Sequence, residues 1–365
     1  DCLYQNRQFS LAEENYSRAA QLSPSAGDYS IYQKGFLLGL QKDYKGKISA
    51  MDRLISEYPE SQYVDDALFE KGRSYVLLEN SSSAAQAFEK LIREFPLSSL
   101  ARKAGIQLGL LYYNDNQPEK ALAAYKQVIS NYPGSEEAKI ALQDLKSVYI
   151  DLNDINAYAS YVNSIGGNIR LEVGEQDSLT YIAAEKLFMR GDNDGARRSL
   201  INYLQTFPEG AFSSNANFYL GSIAFAKKEF DEAIQRFKSV IASGDTKFLE
   251  ESVARTAEIE YLSKDYPAAL ESFKRLQIVA ENPENRQAAR LGIMRCALQT
   301  GQQKDALLAA DELLKEPKLS PELEAEARYV RAKAYIAQKQ ANKALADLKE
   351  LSKDTRTVHG AEAKY

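Results

Sequence analysis

Between Ser99 and Pro133 the chain reads SLARKAGIQLGLLYYNDNQPEKALAAYKQVISNYP, and two helices with one turn account for it. Ile106, Leu108, Leu110, Tyr112 and Tyr113 give the first helix its apolar bulk, with Gly109 in its middle. The turn is Asn114-Asp115-Asn116-Gln117-Pro118. Pro118 suits a first helical turn, where its missing N–H would be unpaired anyway. From Glu119 to Asn131 the second helix sets Ala121, Tyr125, Val128 and Ile129 on one face, at i, i+4, i+7 and i+8. Pro133 then ends it, because proline cannot continue a helix and restricts the residue before it.

The same punctuation recurs. Glu57-Tyr58-Pro59, Glu94-Phe95-Pro96 and Asn131-Tyr132-Pro133 close three helical stretches at intervals of 37 residues. Pro208 follows 75 residues after Pro133, and Pro283 another 75 after that, each two periods on. Pro24 and Pro317 lie at the outer ends at slightly shorter spacing. Small residues keep the same phase: Gly35, Gly72, Gly109, Ala184, Gly221, Ala257 and Ala332 on first helices. Ala12, Ala84, Ala121, Ala196, Ala233, Ala269, Ala306 and Ala344 do so on second helices. Glycine inside a helix costs about 1 kcal/mol relative to alanine, so its return at one phase implies close helix approach. Tyr16, Phe88, Tyr125, Phe237 and Phe273, each four residues after one of those alanines, are the expected fillers. A repeat array is the expectation, since 365 residues exceed one ordinary core.

The layout L-G-x-x-Y … A-x-x-x-[FY] … P, fullest at Leu108-Gly109, Tyr112, Ala121, Tyr125 and Pro133, resembles the tetratricopeptide repeat. The resemblance covers nearly the whole chain, although tryptophan is absent and the period exceeds the usual one. It implies an all-α, right-handed superhelical α-solenoid of antiparallel helix pairs, with about nine to ten repeats and truncated terminal ones. The extra residues follow the proline, as in Glu60-Ser61-Gln62-Tyr63 and Leu97-Ser98-Ser99. In that longer form, Glu57-Tyr58-Pro59-Glu60-Ser61-Gln62-Tyr63-Val64-Asp65-Asp66-Ala67 is similar to repeats of bacterial outer-membrane assembly lipoproteins and of the periplasmic coordinator of the Tol–Pal system. Long arrays of Bacteroidetes-like bacteria are similar too. The likeness implies a periplasmic or outer-membrane-associated place, the alternative being a cytoplasmic adaptor or regulator.

One repeat is irregular. After a second helix over about Ile155 to Val162 comes Ser164-Ile165-Gly166-Gly167-Asn168 and a mixed segment to Gln176. The expected organisation is an N-terminal array (1–163), an irregular connector (164–176) and a C-terminal array (177–365). The connector reads either as a long inter-repeat loop or as a hinge or recognition loop. Asp1-Cys2-Leu3-Tyr4 resembles the end of one first helix and Gly360 to Tyr365 the opening of another, so the array is expected to continue both ways.

Composition narrows function. A net charge of −5 lacks the basic face of a nucleic-acid scaffold, and no apolar run approaches the ~20 residues of a membrane span. Cys2 and Cys296 stand too far apart in sequence to suggest a disulfide framework, and Cys296 reads as buried packing. His359, the one histidine, reads as an exposed loop or cap residue. No nucleophile elbow, P-loop, zinc-protease or dinucleotide motif is present. Gly191-Asp192-Asn193-Asp194-Gly195 lacks the twelfth-position glutamate of a calcium loop, which is Tyr203 here, and reads as a turn capped by Asp/Asn. The pairs Glu13-Glu14, Glu136-Glu137 and Glu250-Glu251 diverge by ~100° on a helix and read as solvated or dipole-pairing carboxylates. No enzyme activity, cofactor or metal is expected.

What remains is binding of protein or peptide partners. The resemblance implies a concave groove lined by first helices at their second, fifth, ninth and twelfth residues. Position by position this gives Tyr29, Tyr32, Phe36, Phe69, Arg73, Tyr113, Tyr181, Phe218, Phe225, Tyr261 and Tyr329. Aromatics and arginine are the usual anchors of interfaces. The alternative is that these side chains pack on the neighbouring first helix. Phe69 and Arg73 stand where the family's carboxylate clamp would place Lys and Asn, so that clamp is unmatched.

Overall fold

The computed structural model describes residues 1–22, 27–166, 170–244, 247–353 and 358–364. The described residues form two compact units, Asp1–Arg170 and Leu171–Tyr365. The first unit holds α1 (Cys2–Gln5), α2 (Phe9–Leu22), α3 (Gly27–Leu40), α4 (Tyr44–Glu57) and α5 (Val64–Leu77). It continues with α6 (Ser81–Glu94), α7 (Ser99–Asn114), α8 (Pro118–Asn131), α9 (Glu136–Asp151) and α10 (Ile155–Ile165). The second unit holds α11 (Val173–Met189), α12 (Asn193–Thr206), α13 (Ser213–Ala226), α14 (Phe230–Ala242), α15 (Leu249–Leu262) and α16 (Tyr266–Val279). After these come α17 (Pro283–Gln299), α18 (Gln303–Leu313), α19 (Pro321–Ala337), α20 (Ala341–Leu351) and α21 (Val358–Lys364). Among the described residues there is no strand. The chain is an all-α solenoid of antiparallel helix pairs.

The odd-numbered helices are the first helices of the pairs, and within each unit they also touch one another. In this way α5 packs on α7, α7 on α9, α15 on α17 and α17 on α19. No two even-numbered helices pack to that extent among the described residues. The first helices therefore form the inner row.

Small residues make the pairs close. A Cβ built on Gly72 would fall 2.5 Å from the Phe88 ring, and one on Gly221 2.8 Å from Phe237. Every second-helix alanine in the expected phase is buried, as are the fillers Tyr16, Phe88, Tyr125, Phe237 and Phe273. Gly35 departs from the pattern, since its filler is Met51 of α4, whose Cε would lie 2.4 Å from such a Cβ.

Each turn inside a pair is built the same way. Arg7, Lys42, Glu79, Asn116, Asn153, Lys228, Lys264 and Lys339 hold φ between 54° and 63°, and Gly191 and Gly301 hold 82° and 73°. The N–H of the following residue reaches back to the carbonyl five before it, as from Asn80 to Tyr75 (2.9 Å) and Asp43 to Leu38 (2.9 Å). That bond closes a Schellman cap on the first helix. In several turns the side chain of the donor residue also caps the second helix: Asn80 accepts from Ser83 N–H (3.1 Å) and Asp192 from Gly195 N–H (2.9 Å). Gly191 to Gly195 is thus the capped turn that its residues indicate.

A second device ties four of the repeats to the next. Ser61 donates to Asp28 (2.6 Å) and Ser98 to Asp65 (2.7 Å), both acceptors lying at the start of the preceding first helix. Asp177 takes the Ala211 N–H (2.9 Å) and the Tyr203 hydroxyl (2.6 Å). Glu250 takes the N–H groups of Glu281 (3.0 Å) and Asn282 (3.1 Å) and the Asn285 amide (2.7 Å). All four acids stand seven residues before the small residue of their helix. Glu250 is therefore a link between repeats, and not only the solvated or dipole-pairing carboxylate that its sequence context suggests.

Some bounds differ from expectation. Helix α10 runs on to Ile165, and α11 begins at Val173, inside the segment expected as connector. Residues 167–169 of that segment, and Pro24, lie outside the described residues. His359 is not in an exposed loop: it lies in α21, half-buried, its ring stacked 4.6 Å from that of Tyr329. An aromatic ring with a neighbouring ring to cover loses water by staying there. Cys296 is fully buried, and burial pushes its thiol up to about 11.

Candidate functional site

All eleven candidate residues stand on first helices, and their burial divides them. Arg73 is exposed, Tyr181 is buried, and the other nine are half-buried.

Four of them share one place, three residues before the small residue, and each stacks on a ring of the following repeat. Tyr32 lies 5.2 Å from Tyr63 at 15°, and Tyr181 4.5 Å from Phe212 at 2°. Phe218 lies 4.1 Å from Phe248 at 13°, and Tyr329 is stacked on His359. Tyr63, Phe212 and Phe248 are N-cap residues of the next first helix. Offset ring pairs of this kind contribute about 0.5–1.5 kcal/mol beyond the area they bury. One face of each ring is thereby given to packing, and Tyr181 is 2% exposed. Phe69, at the same place in α5, tilts onto Phe88 at 5.9 Å.

In the first unit the exposed part of the face centres on Phe36, Arg73 and Tyr113. Lys47, which stands where other second helices have alanine, runs past Gly39 to form a buried ion pair with Glu70. Its ammonium passes 5.8 Å from the Phe36 ring centroid. Arg73 reaches the other Glu70 oxygen at 3.1 Å. Removing one partner of such a buried pair leaves the other charge uncompensated, which is strongly destabilising. Tyr113 donates to the Asp151 carboxylate, and Tyr29 to Asp1 (2.8 Å).

In the second unit Phe225 and Tyr261 stand where Tyr113 does, four residues after the small residue. Phe225 leans on Phe230 (6.1 Å) and lies beneath the Arg255 guanidinium (5.0 Å). Tyr261 tilts onto Tyr266 (5.7 Å) and Phe273 (6.4 Å). Between α15 and α17, with α16 as floor, lies a cavity of about 280 Å³. Ala254, Tyr261, Leu276, Ala288 and Leu291 give its apolar lining, with Arg255 and Arg295 on its rim. Arg255 is held by Glu251 (2.8 Å) and Glu258 (2.9 Å), and Arg295 by both Glu326 oxygens (2.7 Å each). Hydrogen bonding to Glu326 holds Arg295 above its ordinary value.

Sequence reasoning reached Tyr261 but not the cavity or its arginines. The available signal was Ala254, an alanine where other first helices carry Tyr32, Phe69, Tyr181, Phe218 and Tyr329. Among the described residues no group of three or more His, Cys, Asp or Glu side chains is placed to hold a metal. No described helix is long and apolar enough to cross a membrane.

Residues 65–143 match the family model described as outer membrane lipoprotein (YfiO). Residues 29–61 and 183–246 match two models described as tetratricopeptide repeat. No curated protein matches the chain. Among solved structures, a tetratricopeptide repeat protein from Parabacteroides merdae is 14% identical, with 73% of this chain and 98% of that one covered at a TM-score of 0.35. The Cut9–Hcn1 hetero-tetramer of the APC/C is 11% identical, with 99% and 94% covered at 0.49. The TPR domain of P58(IPK) is 15% identical, with 92% and 96% covered at 0.28.

Proposed function

We propose that the chain, of which residues 29–61 and 183–246 match tetratricopeptide repeat models, is a non-catalytic scaffold holding a protein or peptide segment on its first-helix face. The observation that carries this reading is the composition of that face. Half-buried aromatics recur there at fixed register, with Arg73, Arg255 and Arg295 beside them, which is the side-chain chemistry of binding anchors. The tetratricopeptide fold supports a role in protein–protein interaction. Within that role we place the chain in a bacterial cell-envelope assembly, periplasmic or at the outer membrane. The match of residues 65–143 to the outer membrane lipoprotein family supports this placement.

The test is cross-linking in the source cell, comparing the parent with a variant carrying Phe36→Ala, Arg73→Ala and Phe225→Ala. None of these three belongs to the four parallel ring stacks between repeats, Phe36 meeting Tyr4 edge-on at 6.4 Å and Phe225 lying beneath Arg255, so the variant should keep its fold. Loss of an envelope protein from the cross-linked set supports the reading. Equal recovery from both chains removes the face from the proposal, and partners confined to the cytoplasm remove the envelope.

A further inference from the structure

We propose that the α15–α17 cavity is a socket for one uncharged aromatic side chain, phenylalanine or tyrosine, presented by a bound protein segment. The inference rests on the reading that the first-helix face binds protein, and it names where and by what chemistry.

The array supplies its own standard for this junction. Where Tyr32, Tyr181, Phe218 and Tyr329 stand, a ring crosses from one first helix and meets a ring of the next. At the α15–α17 junction both rings are missing. Ala254 stands three residues before Ala257, and the N-cap of α17 is Asn282 in place of Tyr63, Phe212 or Phe248. The facing residues Ala288 and Gly292 add no bulk. Space that a ring pair fills at those four junctions is left here as a cavity of about 280 Å³, lined by Tyr261 and Leu291.

Charge selects the occupant further. Both rim arginines are already closed on carboxylates, Arg255 on Glu251 and Glu258 and Arg295 on Glu326. The rim therefore offers no free charge, and a charged side chain entering the apolar floor would be buried without a partner. A neutral ring meets both conditions, and an arginine plane on its edge favours it over an aliphatic group. Arg255 already covers Phe225 in this manner at 5.0 Å.

The experiment selects binders from a displayed random-peptide library on the 365-residue chain and then measures them on variants. Ala254→Phe and Ala288→Phe each fill the cavity from one wall. Ala288 is exposed, so that variant keeps the test alive if Ala254→Phe does not fold. The expected result is that selected peptides carry Phe or Tyr, and that replacing it with Ala weakens binding at least about tenfold. Either filled variant loses binding to the same degree while melting no lower than the parent, and N-acetylphenylalaninamide competes. Peptides indifferent to both filled variants but weakened by Phe36→Ala with Arg73→Ala would overturn the socket and leave the face as binding surface. Peptides indifferent to all four changes would overturn both, and so would a selection that yields no binder.

Discussion

Gly109 lies directly beneath the ring of Tyr125: a Cβ on Gly109 would fall 2.4 Å from Tyr125 Cε1. The glycine is required by its neighbour and not by its own backbone, which is ordinary helix. Gly109→Ala is therefore expected to destabilise the chain by about 1–3 kcal/mol, although alanine favours helix by about 1 kcal/mol. Gly174 in α11 has nothing within 4 Å, so Gly174→Ala should be neutral or stabilising by up to about 1 kcal/mol. Urea unfolding of the two variants side by side checks the pair.

The left-handed residues inside the helix pairs give the opposite expectation. Lys42, Glu79 and Lys264 hold φ near 60° with a side chain that makes this conformation unfavourable. Glycine there relieves the strain. Glu79→Gly and Lys264→Gly should each raise stability by about 0.5–1 kcal/mol, read as a higher urea midpoint at unchanged slope.

Glu250 predicts a response to acid. Partial burial raises its pKa, but the N–H of Glu281, the Asn285 amide and the N–H of Asn282 outweigh that, so it lies below the ordinary 4.5. A depressed carboxyl stabilises the fold above 4.5, and that stability is lost as pH falls through the lower folded value. Glu250→Gln should thus lower the melting temperature at neutral pH, and the difference from the parent should shrink in a pH series below 4.5.

The alkaline side is set by tyrosines. Burial, with the carboxylate of Glu89 accepting its hydroxyl, pushes Tyr112 up to about 12 from 10.0. A tyrosine that ionises more readily unfolded than folded takes stability away as pH rises from 10.0 towards 12. Tyr112→Phe should blunt that loss, as followed by helical circular dichroism from pH 9 to about 12.

The two thiols should separate by reactivity. Cys2 is exposed and Cys296 buried, with its pKa raised to about 11. A thiol reagent at neutral pH should titrate one equivalent from the folded chain and the second only after denaturant is added. Two equivalents released at once from the native chain would contradict the packing of α17.

The period, the helix pairs and the glycine–aromatic contacts are legible in the sequence because each repeats at constant phase. The left-handed turns are not, since the residue there is Lys, Glu, Arg or Asn more often than Gly. No residue type marks them. The aromatics of the first helices show the deeper ambiguity. Tyr32 and Phe36 are four residues apart on one helix face, yet Tyr32 stacks on Tyr63 and Phe36 borders Lys47. Which way a ring turns depends on the next repeat's first residue, and periodicity within one helix does not carry that information. The acid-to-turn links were hidden for the same reason: Asp28 and Ser61 are 33 residues apart, and each looks unremarkable alone. Ala254 was visible throughout, but only the stacks at other junctions give its smallness a meaning.

The uniform turn has a consequence for how such a chain lengthens or shortens. Lys42 and Glu79 share one backbone conformation, and the residues after them, Asp43 and Asn80, do the same two jobs. Excising residues 43–79 would join Lys42 to Asn80, leaving a seam where the Asn80 N–H finds the Leu38 carbonyl in place of Tyr75. Each of these positions is a splice point at which recombination can remove or insert one whole period without a new loop having to be invented. A lineage of such proteins can change its number of repeats by copying errors alone, and the fold absorbs the change.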